Sequence, residues 1–256
     1  EEGLVEKGRT AKKVTVKKEA IEALPIKDVS ELYNLQAGVV KVESGTRGAV
    51  PNNEDRGVEE VHVRGGRSGE IAYMIDGLYI RNPIYGGIGS GTRLNLFAVK
   101  QFDWQPGGFN AEYGGRISSV VDIKTRDGNK KRLAGKVAAS TFGSKLLLEG
   151  PLFKQKENGS SSSFILSSKT SYLDRTSKSL YSYISDEGLP YSFLDIYGKA
   201  SFTGSNGSKF NVFGFNFGDD VLYSSLVNYS WNSYGFGSNF ILIPNGFALV
   251  SNTFNV

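Results

Sequence analysis

After residue 133 the chain alternates between hydrophobic and polar residues with a period of two. This period is typical of β-strands that present one face to an apolar environment and the other to a polar one. It is clearest near 226–234, where alternate residues form an apolar set (Val227, Tyr229, Trp231) and a polar set (Asn228, Ser230, Asn232). We predict about eight strands, near 133–141, 144–153, 163–173, 195–204, 208–217, 226–234, 237–244 and 247–256.

The residues before about 130 follow a mixed pattern. Residues 1–20 form a lysine-rich arm that ends in a short strand, and a helix follows until Pro25 ends it. A second helix is predicted at 28–35, and Gly38 ends it. The remaining predictions are strands at 39–42, 60–64 and 100–104, a hairpin at 72–80 with an Asp76-Gly77 turn, and loops at 46–57 and 82–93.

The predicted strands have the length and the connections of a membrane β-barrel. A long connection at 174–194 is followed by a short one at 205–208, as external loops alternate with periplasmic turns. We therefore expect 174–194 on the outside, and the same count gives a longer link at 218–225 and a short one near Gly235. Aromatic residues near strand ends resemble membrane girdles: Phe213, Phe215, Phe217, Tyr229, Trp231 and Tyr234. A soluble β-sandwich is the alternative.

The predicted fold class is thus an α+β domain followed by antiparallel transmembrane β-barrel strands. Its domains are an arm at 1–20, the α+β domain at 21–130 and the first barrel strands at 131–256. We expect the chain to be the N-terminal part of a longer protein, since a barrel of about eight strands is filled by its own side chains. Such a barrel has no room for a domain of this size.

Composition agrees with a β-rich protein and excludes several functions. Glycine is frequent (32 of 256 residues) and aromatic residues reach 12%. With no cysteine, the chain has no disulfide, thiolate metal site or thiol nucleophile. A net charge of +4 with mixed signs does not favour nucleic-acid binding. No apolar run reaches the roughly 18 residues of a transmembrane helix.

Other motifs give no enzyme or metal site. Residues 64–67 (Arg-Gly-Gly-Arg) resemble an RNA-binding element, but a single copy without neighbouring repeats is weak evidence. Residues 86–91 are rich in glycine but lack the lysine that follows in a phosphate-binding loop. The acidic pairs at 186–187 and 219–220 are too few for a calcium site. His62 is the only histidine, and no nucleophile elbow accompanies it. We expect no catalytic residue, no metal and no cofactor.

Three segments together resemble the plug domain of TonB-dependent outer-membrane receptors, most closely the Bacteroidetes type. They are 61–66 (Val-His-Val-Arg-Gly-Gly), 73–77 (Tyr-Met-Ile-Asp-Gly) and 99–125, which contains Gly-Gly-Phe-Asn-Ala-Glu-Tyr-Gly and ends at Thr125-Arg126. The residues on these motifs are Arg64, Gly65, Gly66, Asp76, Gly77, Gly107, Gly108, Glu112, Tyr113, Gly114 and Arg116.

The resemblance implies a plug inside an outer-membrane barrel of about 22 strands. It also implies uptake of a nutrient driven by TonB, with the plug and the N-terminus on the periplasmic side. The ligand would be a small molecule, a glycan or a peptide, and a surface lipoprotein is a possible partner beside membrane lipid. In the family, an arginine and a glutamate of the plug face charged barrel residues. The matching positions are Arg64, Arg116 and Glu112.

Two questions stay open at the level of sequence. The TonB box is not evident, because residues 3–5 (Gly-Leu-Val) match it poorly. Ligand contacts are expected from the loops 46–57 and 82–93, with Asn53, Arg56, Tyr85 and Arg93 as candidates. The alternatives to a transporter are an outer-membrane complex subunit that reuses the fold for structure, assembly or secretion, and a soluble β-rich adhesin.

Overall fold

The computed structural model describes residues 13–24, 32, 38–42, 60–66, 70–80, 94–110, 113–141, 143–154, 159–180, 191–223, 227–243 and 250–255. The chain divides into two compact units. The first comprises Glu1–Thr92 and Lys100–Lys124, and the second comprises Arg93–Val99 and Thr125–Val256. Most of the helix predicted at 28–35 and the loops at 46–57 and 82–93 lie outside the described residues.

A five-stranded sheet forms the centre of the first unit. Its strands are β1 (Val14–Lys17), β4 (Ile71–Ile75), β5 (Leu78–Ile80), β6 (Val99–Gln105) and β7 (Ser119–Thr125), in the order β1-β6-β7-β4-β5. A separate antiparallel pair joins β2 (Val39–Val42) to β3 (Glu60–Val63). Helix α1 (Lys18–Ala23) follows β1, and a 3-10 helix (Leu96–Ala98) precedes β6.

The centre of this sheet is fully buried, which explains why β4 does not alternate. All five residues of β4 are buried, and β4 runs parallel to β7. Buried parallel strands are apolar on both faces, as Ile-Ala-Tyr-Met-Ile is here. The predicted hairpin is confirmed: β4 pairs with β5 through Asp76 and Gly77, whose φ angles are 49° and 88°. Positive φ at both central residues defines the turn type that Asp-Gly favours.

Seven antiparallel strands form the described sheet of the second unit, each paired with the next along the chain. They are β8 (Ala134–Ala139), β9 (Gly143–Gly150), β10 (Ser161–Ser171), β11 (Tyr191–Thr203), β12 (Lys209–Tyr223), β13 (Val227–Leu242) and β14 (Val250–Asn255). Helix α2 (Leu173–Leu180) lies between β10 and β11. No helix in the described part of the chain is long and apolar enough to cross a membrane.

The short turn predicted near Gly235 is wrong, because the strands predicted at 226–234 and 237–244 both fall in the single strand β13 (Val227–Leu242). Within it, Gly235 pairs with Phe215. A glycine inside a strand was read as a turn because glycine is common in both settings. Strand β12 also continues to Tyr223, so the longer link predicted at 218–225 is wrong as well.

The sheet of the second unit buries polar residues and exposes apolar ones. On β10, Ser163, Ser167 and Lys169 are buried, whereas Leu166 on the opposite face is 44% exposed. The same face exposes large apolar side chains on the other strands, among them Val137, Leu146, Leu148, Leu194, Ile196, Phe210, Tyr234, Phe236, Leu242 and Phe254. A soluble sandwich would have the opposite arrangement. An apolar exterior with a polar interior is what strands in a bilayer require.

The girdle interpretation of three phenylalanines was wrong. Phe213, Phe215 and Phe217 are buried, and their register places them on the same face as Lys199 and Asp195. Phe215 and Phe217 stack with their ring centroids 4.5 Å apart. Both faces of β12 carry aromatic residues, so its alternation could not show which face meets lipid.

Tyr234, in contrast, is 83% exposed on the apolar face, as a girdle residue should be. The register pairs Trp231 with Asp219, so Trp231 lies on the same face as that buried residue. The side chain of Tyr229 lies outside the described residues.

Candidate functional site

A buried charged pair fixes the segment that follows β7 to the strand sheet. The guanidinium of Arg126 meets the carboxylate of Glu149 on β9 at two points, with Nη1–Oε2 at 2.6 Å and Nη2–Oε1 at 2.9 Å. Only 14% of the arginine side chain and 11% of the glutamate side chain are exposed. Two parallel hydrogen bonds between a planar guanidinium and a carboxylate set both direction and distance. The pair therefore positions residue 126 as well as neutralising two buried charges.

The same arginine also fixes the segment 93–99. Its Nε donates to the carbonyl of Phe97 at 2.8 Å, and its backbone N–H donates to the carbonyl of Ala98 at 2.9 Å. Asn95 donates from Nδ2 to the carbonyl of Leu146 on β9 at 3.2 Å. The ammonium of Lys136 on β8 lies 5.3 Å from the centre of the Phe97 ring, a cation–π distance. Two separate stretches of chain are thus held against β8 and β9.

Alternate residues of β11 bind residues 125, 127 and 130. Tyr197 shares a hydrogen bond of 2.7 Å between its hydroxyl and Thr125 Oγ1. The ammonium of Lys199 donates to Thr125 Oγ1 at 3.1 Å and to its carbonyl at 3.2 Å. The series continues with Ser201 Oγ donating to Asp127 Oδ1 at 3.0 Å and Lys130 Nζ donating to Thr203 Oγ1 at 3.3 Å. We call these contacts and the Arg126–Glu149 pair the linker ladder.

The backbone lies close against the sheet at Gly128. A Cβ placed there would lie 1.9 Å from the carbonyl oxygen of Phe164 on β10. No side chain fits that space without displacing backbone, so glycine is required. The linker ladder is therefore packed against the strands and not only joined to them by long side chains.

A second polar cluster lies in the first unit, around Asp103 on β6. The carboxylate is 1% exposed and accepts hydrogen bonds from Thr15 Oγ1 at 2.6 Å and from Gln101 Nε2 at 2.9 Å. The ammonium groups of Lys13 and Lys124 lie 3.1 Å and 3.5 Å from Oδ2. Because Lys13 precedes β1 and Thr15 lies in it, Asp103 fastens the edge strand to the sheet.

Two carboxyls of this cluster differ in proton affinity. Burial raises the pKa of Asp103, but the hydrogen bonds from Thr15, Gln101 and Lys13 outweigh it, and the net pKa lies below the ordinary value. On β7, burial raises the pKa of Asp122 to about 6, against the attraction of Lys124, and Asp103 adds repulsion. Asp103 is therefore the charged anchor of β1, whereas Asp122 holds a proton in mildly acidic solution.

Arg64 and Arg116, which are expected to face charged barrel residues, have described contacts within the first unit. Arg64 is exposed at a φ of 50°. Its backbone N–H donates to the carbonyl of Gly38 at 2.9 Å, and its side chain lies beside Gly38 and Gly107. Arg116 Nη1 donates to the carbonyl of Gly115 at 3.3 Å, within its own loop. Glu112 lies outside the described residues. The role of these three residues in holding the plug stays a prediction.

The other motif residues shape loops and core. Gly66 forms an isolated antiparallel β-bridge with Val63. A Cβ at position 66 would lie 2.3 Å from Ser118 Oγ, so only glycine fits. Tyr113 packs edge-on against Phe109, beside a core of Ala72, Met74 and Val120. The motif glycines with positive φ are Gly65, Gly77, Gly107 and Gly108, and the carbonyl of Gly114 accepts a hydrogen bond from Tyr79. The loop candidates Asn53, Arg56, Tyr85 and Arg93 lie outside the described residues.

Sequence reasoning missed the residues of the linker ladder. Glu149 carries a signal, since it is a charged residue that follows three leucines within a strand. Lys199 carries a similar one, between Tyr197 and Ser201 on one face of β11. Charged residues inside an otherwise apolar strand indicate a polar interior, but the pattern does not name their partners.

A family model matches the first part of the chain, and solved structures resemble most of the chain in fold. Residues 6–121 match the family model of the TonB-dependent Receptor Plug Domain. The structure resembles the outer membrane transporter YddB from Escherichia coli (TM-score 0.64, 15% identity, 95% of this chain and 38% of that chain). It also resembles the siderophore receptor PiuA from Acinetobacter baumannii (TM-score 0.59, 16% identity, 95% and 35%) and the copper transporter OprC (TM-score 0.60, 10% identity, 93% and 36%).

These matches show the fold. The chain has a plug domain followed by antiparallel strands like those of TonB-dependent barrel receptors. It spans less than two fifths of the length of the three solved structures named above. The matched proteins are receptors and transporters rather than enzymes. Among the described residues no group of three or more histidine, aspartate or glutamate side chains could hold a metal ion.

We predict that Glu149→Gln lowers the free energy of unfolding by about 3 kcal/mol, because it leaves the Arg126 guanidinium buried without its counter-charge. The measurement is denaturant unfolding of the full-length protein in lipid vesicles. Asp174→Asn is the matched control, since Asp174 faces Arg175 at 3.8 Å on an exposed surface and should change stability by less than about 1 kcal/mol. Equal effects of the two substitutions would contradict a structural role for the pair.

We predict that Asp122 makes the first unit less stable as pH rises from about 4 to 6. The group titrates at 3.8 when unfolded and at about 6 when folded. Between these two pKa values Asp122 is protonated in the folded state and ionised in the unfolded state. Its contribution therefore lowers the free energy of unfolding by about 1.4 kcal/mol for each unit by which the pH rises. Asp122→Asn should flatten this slope, read from the fluorescence of Trp104 in a Trp231→Phe background during denaturation. An unchanged slope would show that Asp122 titrates normally.

Proposed function

We propose that the chain belongs to a TonB-dependent outer-membrane receptor that imports a scarce nutrient, with the plug gating the lumen of the barrel. The main support is the combination of a plug-domain match over residues 6–121 with a strand sheet whose exposed face is apolar. In this proposal the strands cross the outer membrane, and the plug and the N-terminus face the periplasm.

The linker ladder has a defined role in this proposal. Thr125, Arg126 and Asp127 are bonded to β9 and β11, so this end of the plug stays with the barrel wall when the gate opens. The moving part then comprises residues before 93 and residues 100–124, which is the first compact unit. The domain boundary that we propose for gating therefore lies at 124, rather than at the 130 expected from sequence.

Force from TonB would enter the plug at its N-terminal side. Strand β1 is an edge strand of the five-stranded sheet and follows directly on residues 1–12. It is attached to β6 through four register pairs and through the Asp103 contacts with Lys13 and Thr15. Tension applied before residue 13 would therefore reach β6 and the centre of the sheet. TonB is the partner that we propose for this segment.

The ligand class stays open among a small molecule such as a metal chelate, a glycan and a peptide. Similar structures include a siderophore receptor and a copper transporter, which favours a metal-containing ligand. The Bacteroidetes-type motifs favour a glycan or peptide delivered by a surface lipoprotein. Both routes would use the plug loops that contain Asn53, Arg56, Tyr85 and Arg93. The competing function is a non-transporting complex subunit in which the plug stays closed.

We predict that uptake through the full-length protein depends on TonB. A Gram-negative host without competing receptors would express the protein, and uptake of ⁵⁵Fe-loaded siderophores, labelled oligosaccharides and labelled peptides would be measured with TonB present or deleted. At least one probe should enter cells, and its uptake should fall to background when TonB is absent.

Deleting residues 1–12 should have the same effect as deleting TonB, since both remove the site at which force is applied. Uptake that is unchanged without TonB would contradict the proposal. Failure to take up any probe, in a protein that is shown to reach the outer membrane, would favour the non-transporting subunit.

A further inference from the structure

Residues 99–125 form a stretch of chain whose two flanks are bonded to each other. The backbone N–H of Arg126 donates to the carbonyl of Ala98 at 2.9 Å, and its Nε donates to the carbonyl of Phe97 at 2.8 Å. The stretch contains strands β6 and β7, which are neighbours in the five-stranded sheet. Arg126 therefore closes β6 and β7 into a loop at its base.

The base of this loop is attached to two strands of the second unit. Arg126 forms its two hydrogen bonds to Glu149 on β9, and Asn95 donates from Nδ2 to a backbone carbonyl of β9 at 3.2 Å. The ammonium of Lys136 on β8 lies 5.3 Å from the centre of the Phe97 ring. We call these three attachments the wall anchor. Because β8 and β9 are themselves paired, a load on the segment 93–99 is shared between both strands.

Asn95 positions the segment within the wall anchor. While its Nδ2 bonds to β9, its Oδ1 accepts a hydrogen bond from the backbone N–H of Phe97 at 3.1 Å. The side chain of Asn95 is buried, as are Leu94 and Ala98. Hydrogen bonds in such surroundings are stronger than those in water. One buried amide thus fixes the start of the 3-10 helix and ties it to the strand.

The chain before residue 93 is held in another way. Strand β1 lies at the edge of its sheet, pairs with β6 over four residues and has only half-buried and exposed residues. Strand β4 pairs on both sides and is fully buried. An edge strand loses one ladder when it leaves a sheet, whereas a central strand loses two. Tension applied before residue 13 therefore removes β1 before β4, and it reaches the segment 93–99 only after β4 has left.

We propose that chain tension on the N-terminal side of the plug ends at the wall anchor, so that only the chain before residue 93 can be drawn out. Residues 99–125 lie beyond this point and carry no chain tension, since the linker ladder holds their other end through Thr125. The inference rests on the proposed function only in taking TonB as the source of tension.

The wall anchor predicts how much chain a pull can release. Drawing out residues 1–92 yields about 300 Å of extended chain. If tension ended instead at the next attachment, Thr125, about 110 Å more would be released. The length released therefore shows at which residue the tension ends.

The experiment is force spectroscopy on the full-length protein in a supported lipid bilayer, pulled through a cysteine that replaces Glu2. A force peak should appear after about 300 Å of chain has been released, and about 110 Å more should follow once that peak is passed. Neither TonB nor a transported ligand is present. A failure of the proposed transport would therefore leave this result unchanged, and the absence of the peak would leave uptake possible.

Two asparagines provide a matched pair of variants. Asn95 and Asn206 each donate from Nδ2 to a backbone carbonyl, at 3.2 Å and 3.1 Å, and each accepts a backbone N–H at 3.1 Å. Asn206 lies in the turn between β11 and β12, away from the path of tension. Asn95→Ala should lower the force of the peak without moving it, whereas Asn206→Ala should leave the force unchanged.

A covalent link tests the anchor from the other side. Phe97→Cys/Lys136→Cys, joined by a bifunctional thiol reagent, should keep the first release at about 300 Å and abolish the further 110 Å or so. The position of the peak is measured on the unsubstituted anchor, so it does not depend on how any variant folds. A release that runs past 300 Å or so without a peak, equal effects of the two asparagine variants, or a link that shortens the first release would each overturn the proposal.

Discussion

Backbone amide and carbonyl groups cannot be left without hydrogen-bond partners in hydrocarbon, and this constraint determines how the second half of the chain is built. Every described strand from β9 to β13 pairs with both neighbours, over ladders as long as fifteen register pairs between β12 and β13. Once the backbone is satisfied within the sheet, the outward side chains need only be apolar, as Leu166, Ile196 and Phe236 are. The polar side chains are left on the opposite face, where they need partners of their own.

The linker ladder supplies those partners on β9 and β11. Glu149 and Lys199 are buried charges, and a buried charge is tolerated when it is paired and hydrogen-bonded. Arg126 satisfies the first, while the carbonyl and hydroxyl of Thr125 satisfy the second. The plug sheet solves a similar problem within itself, because Asp103 gathers Thr15, Gln101 and two lysines around one carboxylate. Each unit therefore has its own polar network.

The sequence predicted those features that depend on nearby residues. The Asp76-Gly77 hairpin, the strands near 60–64 and 100–104 and the resemblance to the plug domain all follow from short patterns and were confirmed. Features that depend on distant partners could not be predicted. The side of β12 that meets lipid is set by the register with β11, and the Arg126–Glu149 pair joins residues whose proximity only the folded sheet creates. Gly235 was misread because a glycine in mid-strand has the local signature of a turn.

The central claim is that the strands present their apolar face to lipid and their polar face inward. Because the chain has no cysteine, single cysteines introduced along β11 can carry nitroxide spin labels without background. In vesicles containing the full-length protein, labels at Leu194, Ile196, Ala200 and Phe202 should collide with dissolved oxygen far more often than labels at Asp195, Tyr197, Lys199 and Ser201. A two-residue period in that order is the predicted result. A reversed period, or equal oxygen accessibility at all eight positions, would contradict the claim.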